Sequence, residues 1–105
     1  MFTSDQREVL RRRLETERSR ILSVLREPVA TPPTDEASEF EEVAQRAAEQ
    51  EDRFDVAERE RALLADVERA LEKLRGGGYG IDERTGEPIP YERLAAVPWA
   101  RGRVD

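Results

Sequence analysis

The chain has 105 residues, of which 40% are charged and 37% hydrophobic, and its formal net charge is −6. This length predicts a single domain, and so small an apolar share favours long helices that bury one stripe. The acidic balance argues against a general nucleic-acid binder, because such proteins need a basic surface to displace counterions from phosphates. The chain also contains no Cys and no His, which excludes disulfides and the usual zinc ligands.

Charge is unevenly distributed along the chain. Residues 1–27 hold seven Arg and five acidic residues, whereas residues 35–60 hold eleven acidic residues and three Arg. One part of the molecule is therefore strongly acidic, although a solvent-exposed helix face commonly has this character. No apolar run approaches the roughly 20 residues that a membrane helix needs. We therefore expect a cytoplasmic protein without a membrane partner.

The first predicted helix begins at Thr3 or Ser4 and runs to about Arg26. Gln6 follows Thr3 by three residues, a spacing that matches a capping box. Apolar residues at three- and four-residue steps predict its buried face. They are Leu10, Leu14, Ile21, Val24 and Leu25. The segment EPVATPPTDEAS that follows contains three prolines, which are excluded from helix interiors and predict a stiff connection.

A second and longer helix is predicted after this connection, with Thr34 or Ser38 as its cap. Neither Gly nor Pro interrupts it before Gly76, so about 38 residues at roughly 1.5 Å each span on the order of 55–60 Å. Its predicted apolar face consists of Phe40, Ala44, Ala47, Phe54, Ala57, Leu64, Val67, Leu71 and Leu74. Two such helices are expected to fold back as an antiparallel coiled-coil hairpin over residues 1–78, with its tip near residues 28–44.

Residues 79–105, here called the C-terminal module, predict a small compact unit. Apolar residues alternate on either side of a Thr-Gly turn, the pattern of a β-hairpin, and PYERLAAVP predicts a short helix. We expect a mini-core seated on Leu71 and Leu74. Its members are Tyr79, Ile81, Ile89, Tyr91, Leu94, Val97 and Trp99. The predicted fold is mostly α, a long helical hairpin with this module at its base.

The order of hairpin, Tyr-Gly turn and compact module resembles the DksA/TraR family of bacterial transcription regulators. The resemblance covers roughly residues 35–105. It rests on RERALL (59–64), Tyr79-Gly80, Gly86, Ile89 and RLAAVPWA (93–100). It implies a regulator that binds RNA polymerase and is not an enzyme.

Members of the family insert the tip of the coiled coil into the secondary channel of RNA polymerase, and two carboxylates in an Asp-x-x-Asp-x-Ala motif are credited with the effect. Counting back from the Tyr-Gly turn without gaps, the resemblance places this motif on Glu39, Glu42 and Ala44. Residues three apart share a helix face, so both carboxylates would project together. A match shifted by three residues falls on Glu42, Gln45 and Ala47 instead and loses one acid. Acidic residues are also common in a first helical turn for dipole reasons alone.

In the family the C-terminal module is a zinc finger. The resemblance places three of its ligand positions on Asp82, Thr85 and Arg103, and neither threonine nor arginine can complete a tetrahedral zinc site. We therefore expect a zinc-finger-like module without metal or any other cofactor, in which Asp82 pairs with Arg101 or Arg103. Exposed ion pairs contribute only about 0–1 kcal/mol each, so packing must hold the module, on a joint that the glycines leave free to move.

Family members that respond to guanosine tetraphosphate (ppGpp) use basic residues at positions that match about Asp66 and Val97 here, neither of which can hold phosphate. We therefore expect no ppGpp binding. The leading hypothesis is a polymerase-binding regulator without sequence-specific nucleic-acid binding. The alternative is a non-catalytic coiled-coil adaptor that kept the family frame without polymerase activity. An enzyme is disfavoured, because catalysis would rest on carboxylates, one lysine and hydroxyl groups with no converging pocket.

Overall fold

The computed structural model describes residues 2–26 and 39–103, with only the backbone described for residues 39–44. In these ranges the chain forms α1 (Ser4–Arg26), α2 (Glu39–Gly76) and α3 (Tyr91–Ala96). The molecule is elongated, with principal extents of 62 × 24 × 21 Å. None of these helices has the length and apolar character required to cross a membrane.

Helix α1 begins with the predicted capping box. The N–H of Gln6 donates to Thr3 Oγ1 at 3.1 Å, and the N–H of Thr3 donates to Gln6 Oε1 at 2.8 Å. These two bonds satisfy backbone donors that have no partner within the helix. Leu10, Leu14 and Ile21 are buried as predicted, so the three- and four-residue spacing identified the face that packs.

The two long helices run antiparallel, as predicted. Arg7, near the start of α1, donates to the carbonyl oxygen of Leu74, near the end of α2. Arg20, late in α1, pairs with Glu60, in the middle of α2, at 3.0 Å. Increasing residue numbers in α1 therefore meet decreasing numbers in α2.

Helix α2 extends well past the described part of α1. It has 38 residues against 23 in α1. In the register that the Arg20–Glu60 pair sets, Arg26 lies opposite about residue 54, so residues 39–53 project roughly 20 Å further. Here the predicted apolar face is not buried, because Phe54 is 63% exposed and Ala47 is also exposed. The stripe is buried only where α1 and the C-terminal module cover it, at Val67, Leu71 and Leu74, while the side chains of Phe40 and Ala44 lie outside the described residues.

A β-hairpin was predicted in the C-terminal module, and this prediction is wrong. The described residues contain one isolated antiparallel bridge, between Ile81 and Pro88, and no named strand. The N–H of Ile89 still donates to the carbonyl oxygen of Gly80 at 2.7 Å, so the chain does reverse direction. The ladder stops because Pro88 and Pro90 have no N–H group to extend it.

One hydrophobic core runs from the helix pair into the C-terminal module. Gly80 has φ +82, and a Cβ at this position would lie 2.9 Å from Phe2 Cε1, so glycine admits the Phe2 ring. That ring packs edge-on against Tyr79, with centroids 5.7 Å apart. The buried members are Leu10, Leu14, Ile21, Val67, Ala70, Leu71, Leu74, Tyr79, Ile89 and Leu94. Side chains from both predicted units share the core, and a boundary near residue 78 stays a prediction.

Candidate functional site

The predicted tip residues Glu39, Glu42 and Ala44 lie in the first turns of α2, whose backbone is helical from Glu39 onwards. They are at the end of α2 that is remote from the C-terminal module, roughly 55 Å from Gly76 along the helix. Their side chains lie outside the described residues. That the two carboxylates project together therefore stays a prediction, based on their spacing of three residues on a helix.

The helix surface next to the predicted tip is acidic. In residues 45–58 five carboxylates are exposed, against the two arginines Arg46 and Arg53. The exposed acids are Glu49, Glu51, Asp52, Asp55 and Glu58. Gln45 and Ala47, the residues of the shifted motif match, are exposed as well. A ligand that meets this part of α2 therefore meets negative charge, which favours a basic partner surface.

The paired part of the helices is held by charge as well as by packing. The Arg20 guanidinium contacts Glu17 in its own helix at 2.6 Å and Glu60 in α2 at 3.0 Å. Hydrogen bonds to these carboxylates, that to Glu17 first, raise the pKa of Arg20 above its ordinary value. This side chain therefore connects the two helices near the place where α2 begins to extend beyond α1.

Asp82 lies at the centre of the C-terminal module and is buried, with 3% of its surface exposed. Its Oδ1 accepts hydrogen bonds from the N–H groups of Arg84 at 2.8 Å and Thr85 at 3.3 Å. Its Oδ2 accepts one from the N–H of Arg103 at 3.0 Å. These bonds, that from Arg103 first, hold the pKa of the Asp82 carboxyl below its ordinary value. One carboxylate thus joins the turn after residue 82 to the C-terminal segment.

The ion pairs predicted for Asp82 are wrong. The Arg103 guanidinium pairs with Glu87 at 2.6 Å, and that of Arg101 pairs with Asp66 on α2. Arg103 reaches Asp82 only through its backbone amide. Burying a neutral backbone N–H costs less hydration free energy than burying a guanidinium cation, so backbone amides rather than arginine side chains meet the buried carboxylate.

Contacts on two sides fix the C-terminal module to the helix pair, so it is held by more than the glycine joint. Glu83 Oε1 lies 2.6 Å from both Arg69 Nε and Lys73 Nζ of α2. Hydrogen bonding, first to Lys73, lowers the pKa of Glu83. On the other side, Arg13 of α1 donates to the carbonyl oxygen of Ala95.

Zinc does not fit the three predicted ligand positions. Both oxygens of Asp82 already accept backbone N–H groups, the Thr85 hydroxyl accepts the N–H of Glu87 at 3.3 Å, and Arg103 carries a permanent cation. In the part of the chain that the structure describes, no group of three or more His, Cys, Asp or Glu side chains could hold a metal ion.

Sequence reasoning missed Glu83 and Phe2. A signal for Glu83 was present, because Arg69 and Lys73 are four residues apart and so place two cations on one face of α2, beside the module. Phe2 gave no such signal, since a single aromatic residue ahead of a helix does not identify its partner.

No family model matches the chain. Over 50 residues it is 56% identical to general stress protein 16O of Bacillus subtilis, covering 48% of this chain and 31% of that protein. Over 73 residues it is 36% identical to the RNA polymerase-binding transcription factor DksA of Caulobacter vibrioides, covering 67% of this chain and 51% of that protein. The chain thus spans about a third to a half of the length of these curated relatives.

Among solved structures, the chain is similar to transcription factor DksA2 from Pseudomonas aeruginosa. The two share 35% sequence identity with a TM-score of 0.57, and the match covers 93% of this chain and 68% of that one. The likeness therefore includes both the helix pair and the C-terminal module.

Proposed function

Because the chain belongs to the DksA/TraR family, we propose that it is a transcription regulator that binds RNA polymerase and has no catalytic activity of its own. The observation that carries this proposal is the form of α2. Its C-terminal end is paired with α1 and holds the C-terminal module, while its N-terminal part projects past α1 and carries an acidic surface.

In the proposed mechanism the projecting end of α2 enters the secondary channel of the polymerase. Glu39 and Glu42, followed by Ala44, form the leading end. Two carboxylates on one helix face can contact a Mg²⁺ ion or compete for the basic side chains around it, because carboxylate oxygens are preferred ligands of hard cations. The tip would then change initiation by altering the charge around the catalytic ion.

The proposed role does not include ppGpp binding by this chain. Asp66, one of the two positions that match the family's basic residues, is a carboxylate paired with Arg101, and the other, Val97, has no polar side chain. Neither can donate a charge-assisted hydrogen bond to a phosphate.

The test combines a pull-down on core RNA polymerase with transcription in vitro. The wild type is expected to bind the polymerase and change initiation, and adding ppGpp is expected to leave its effect unchanged. The double variant Glu39→Ala/Glu42→Ala is expected to bind but to lose the effect on initiation. Glu49→Ala/Asp52→Ala is the matched control, since it removes two exposed acids at the same spacing further along α2 and should retain the effect.

Two results would contradict the proposal. If the wild type does not bind polymerase, the adaptor hypothesis is preferred. If both double variants lose the effect equally, general acidity of α2 is responsible and the tip residues have no special role.

A further inference from the structure

Asp82 is the buried charged side chain of the described residues, and its environment is made of backbone amides. A carboxylate is retained in a buried place only where hydrogen bonds compensate for its lost hydration. From this geometry we infer that Asp82 is a structural clasp that closes the C-terminal module without a metal ion. Through it, one carboxylate connects two segments of the chain 21 residues apart, the kind of connection that a zinc ion provides in a zinc finger.

Main-chain bonds around Asp82 place its carboxylate in position. The N–H of Asp82 donates to the carbonyl oxygen of Glu87 at 2.8 Å, and the N–H of Gly86 donates to the carbonyl oxygen of Asp82 at 2.8 Å. The next residue continues the connection, since the N–H of Glu83 donates to the carbonyl oxygen of Arg101 at 3.0 Å. The turn and the C-terminal segment are therefore joined at two adjacent residues, by a side chain and by the main chain.

The electrostatics of this place suit an anion and oppose a cation. Three N–H dipoles point at the carboxylate, so their positive ends surround the position that a metal ion would have to approach. A metal ion at Asp82 would have to compete with these bonds for the carboxylate oxygens. The family's zinc is thus replaced by a different kind of connection, in which the Asp82 side chain supplies the charge and backbone N–H groups supply the donors.

The clasp also sets how the module sits on the helix pair. Glu83, next to Asp82, reaches Arg69 and Lys73 of α2, and Arg101, two residues before Arg103, reaches Asp66. Since Asp82 fixes the relative position of residues 82–83 and 101–103, it aligns both ion pairs with α2. Asp82 is accordingly a positioning residue. If the proposed function holds, on which this last step depends, Asp82 also keeps the C-terminal module in place relative to the distant tip of α2.

Amide hydrogen exchange followed by NMR tests the clasp directly and requires no polymerase. In Asp82→Asn the exchange of the Arg103 amide is expected to become roughly ten- to hundredfold faster relative to that of Leu14 in α1, because a charged acceptor is lost. Glu87→Gln is the matched control. Glu87 is an exposed acid of the same turn that binds the Arg103 side chain, and its removal should leave the Arg103 amide within about threefold of the wild-type rate.

A second arm tests metal independence in the wild-type protein. Exhaustive treatment with EDTA is expected to leave the exchange rate of the Arg103 amide unchanged. The inference is overturned if EDTA accelerates that exchange, if the wild-type amide is unprotected, or if Asp82→Asn leaves it unchanged. The wild-type measurements can still overturn the inference if a variant does not fold. Failure here would leave polymerase binding untouched, and failure of polymerase binding would leave the clasp untouched.

Discussion

Tyr79 shows what a single side chain contributes to the joint between the helices and the C-terminal module. Its ring lies in the core against Phe2, and its hydroxyl donates a buried hydrogen bond to the carbonyl oxygen of Pro98 at 2.9 Å. Burial raises the pKa of Tyr79 to about 12, because the phenolate would lose its hydration there. The residue therefore connects the first residues of the chain, the Tyr-Gly turn and the segment after α3.

We expect alkaline solution to weaken the fold through Tyr79. The pKa of a tyrosine in an unfolded chain is about 10, so the stabilisation by the neutral phenol is complete below that pH and is lost as the pH rises towards about 12. In a Tyr91→Phe background, where Tyr79 is the remaining tyrosine, tyrosinate absorbance at 295 nm should have its midpoint near 12 in the folded protein. A midpoint equal to that of the urea-unfolded chain would show that Tyr79 is not buried in solution.

At the scale of the elements, the two halves of α2 lie in different environments. Its C-terminal half packs on α1 and the module through Val67, Leu71 and Leu74, whereas Phe54 and Ala47 are exposed. Most helical stability in proteins comes from tertiary packing, so the two halves depend on different interactions. The exposed half must therefore rely mainly on its intrinsic helix propensity.

This difference predicts unequal effects of truncating two large apolar side chains. Leu14→Ala should lower the free energy of unfolding by about 2–5 kcal/mol, because Leu14 is completely buried and its removal leaves a cavity. Phe54→Ala should lower it by only about 0–1 kcal/mol, since the residue is already 63% exposed to water. Urea denaturation followed by circular dichroism at 222 nm measures both. Equal costs would mean that Phe54 is covered in solution.

At the scale of the whole molecule, the core does not stop where the helical hairpin ends. Leu10 and Leu14 of α1, Leu71 and Leu74 of α2 and Leu94 of α3 belong to one buried cluster. The ion pairs of Glu83 and the bond from Arg13 to Ala95 add polar contacts at the same junction. The C-terminal module therefore has no separate core.

A shared core predicts that the helix pair and the module unfold together. Trp99, the only tryptophan of the chain, lies in the module, so its fluorescence reports on the module while ellipticity at 222 nm reports mainly on α1 and α2. Their thermal midpoints are expected to coincide, because two-state unfolding makes different probes agree. A fluorescence transition at a clearly lower temperature would show that residues 79–105 form an independent unit.

The elements of this fold were predictable where their signal is local. The capping box at Thr3 and Gln6, the buried positions of α1 and the long uninterrupted α2 all follow from residues within a few positions of one another. Predictions failed where the outcome depends on what packs against an element. Phe54 has the spacing of a core residue on α2, yet it lies level with the last residue of α1, Arg26, and is 63% exposed. The β-hairpin prediction failed for a different reason. It followed the alternating apolar pattern and did not take into account that Pro88 and Pro90 have no N–H group to donate to a strand ladder.

The sequence by itself determined the helices, the direction in which the second returns along the first, and the absence of Cys and His. Periodicity and prolines are properties of short stretches, and composition is a total over the chain, so none of them depends on tertiary contacts. Only the tertiary structure decided the partners of Asp82, Glu83 and Arg101. The bond between Arg103 and Asp82 spans 21 residues and that between Arg13 and Ala95 spans 82, so each depends on how the module docks. No local pattern specifies which carboxylate will pair with which arginine across such a distance. The packing of the module on the helix pair decides which of these side chains come close.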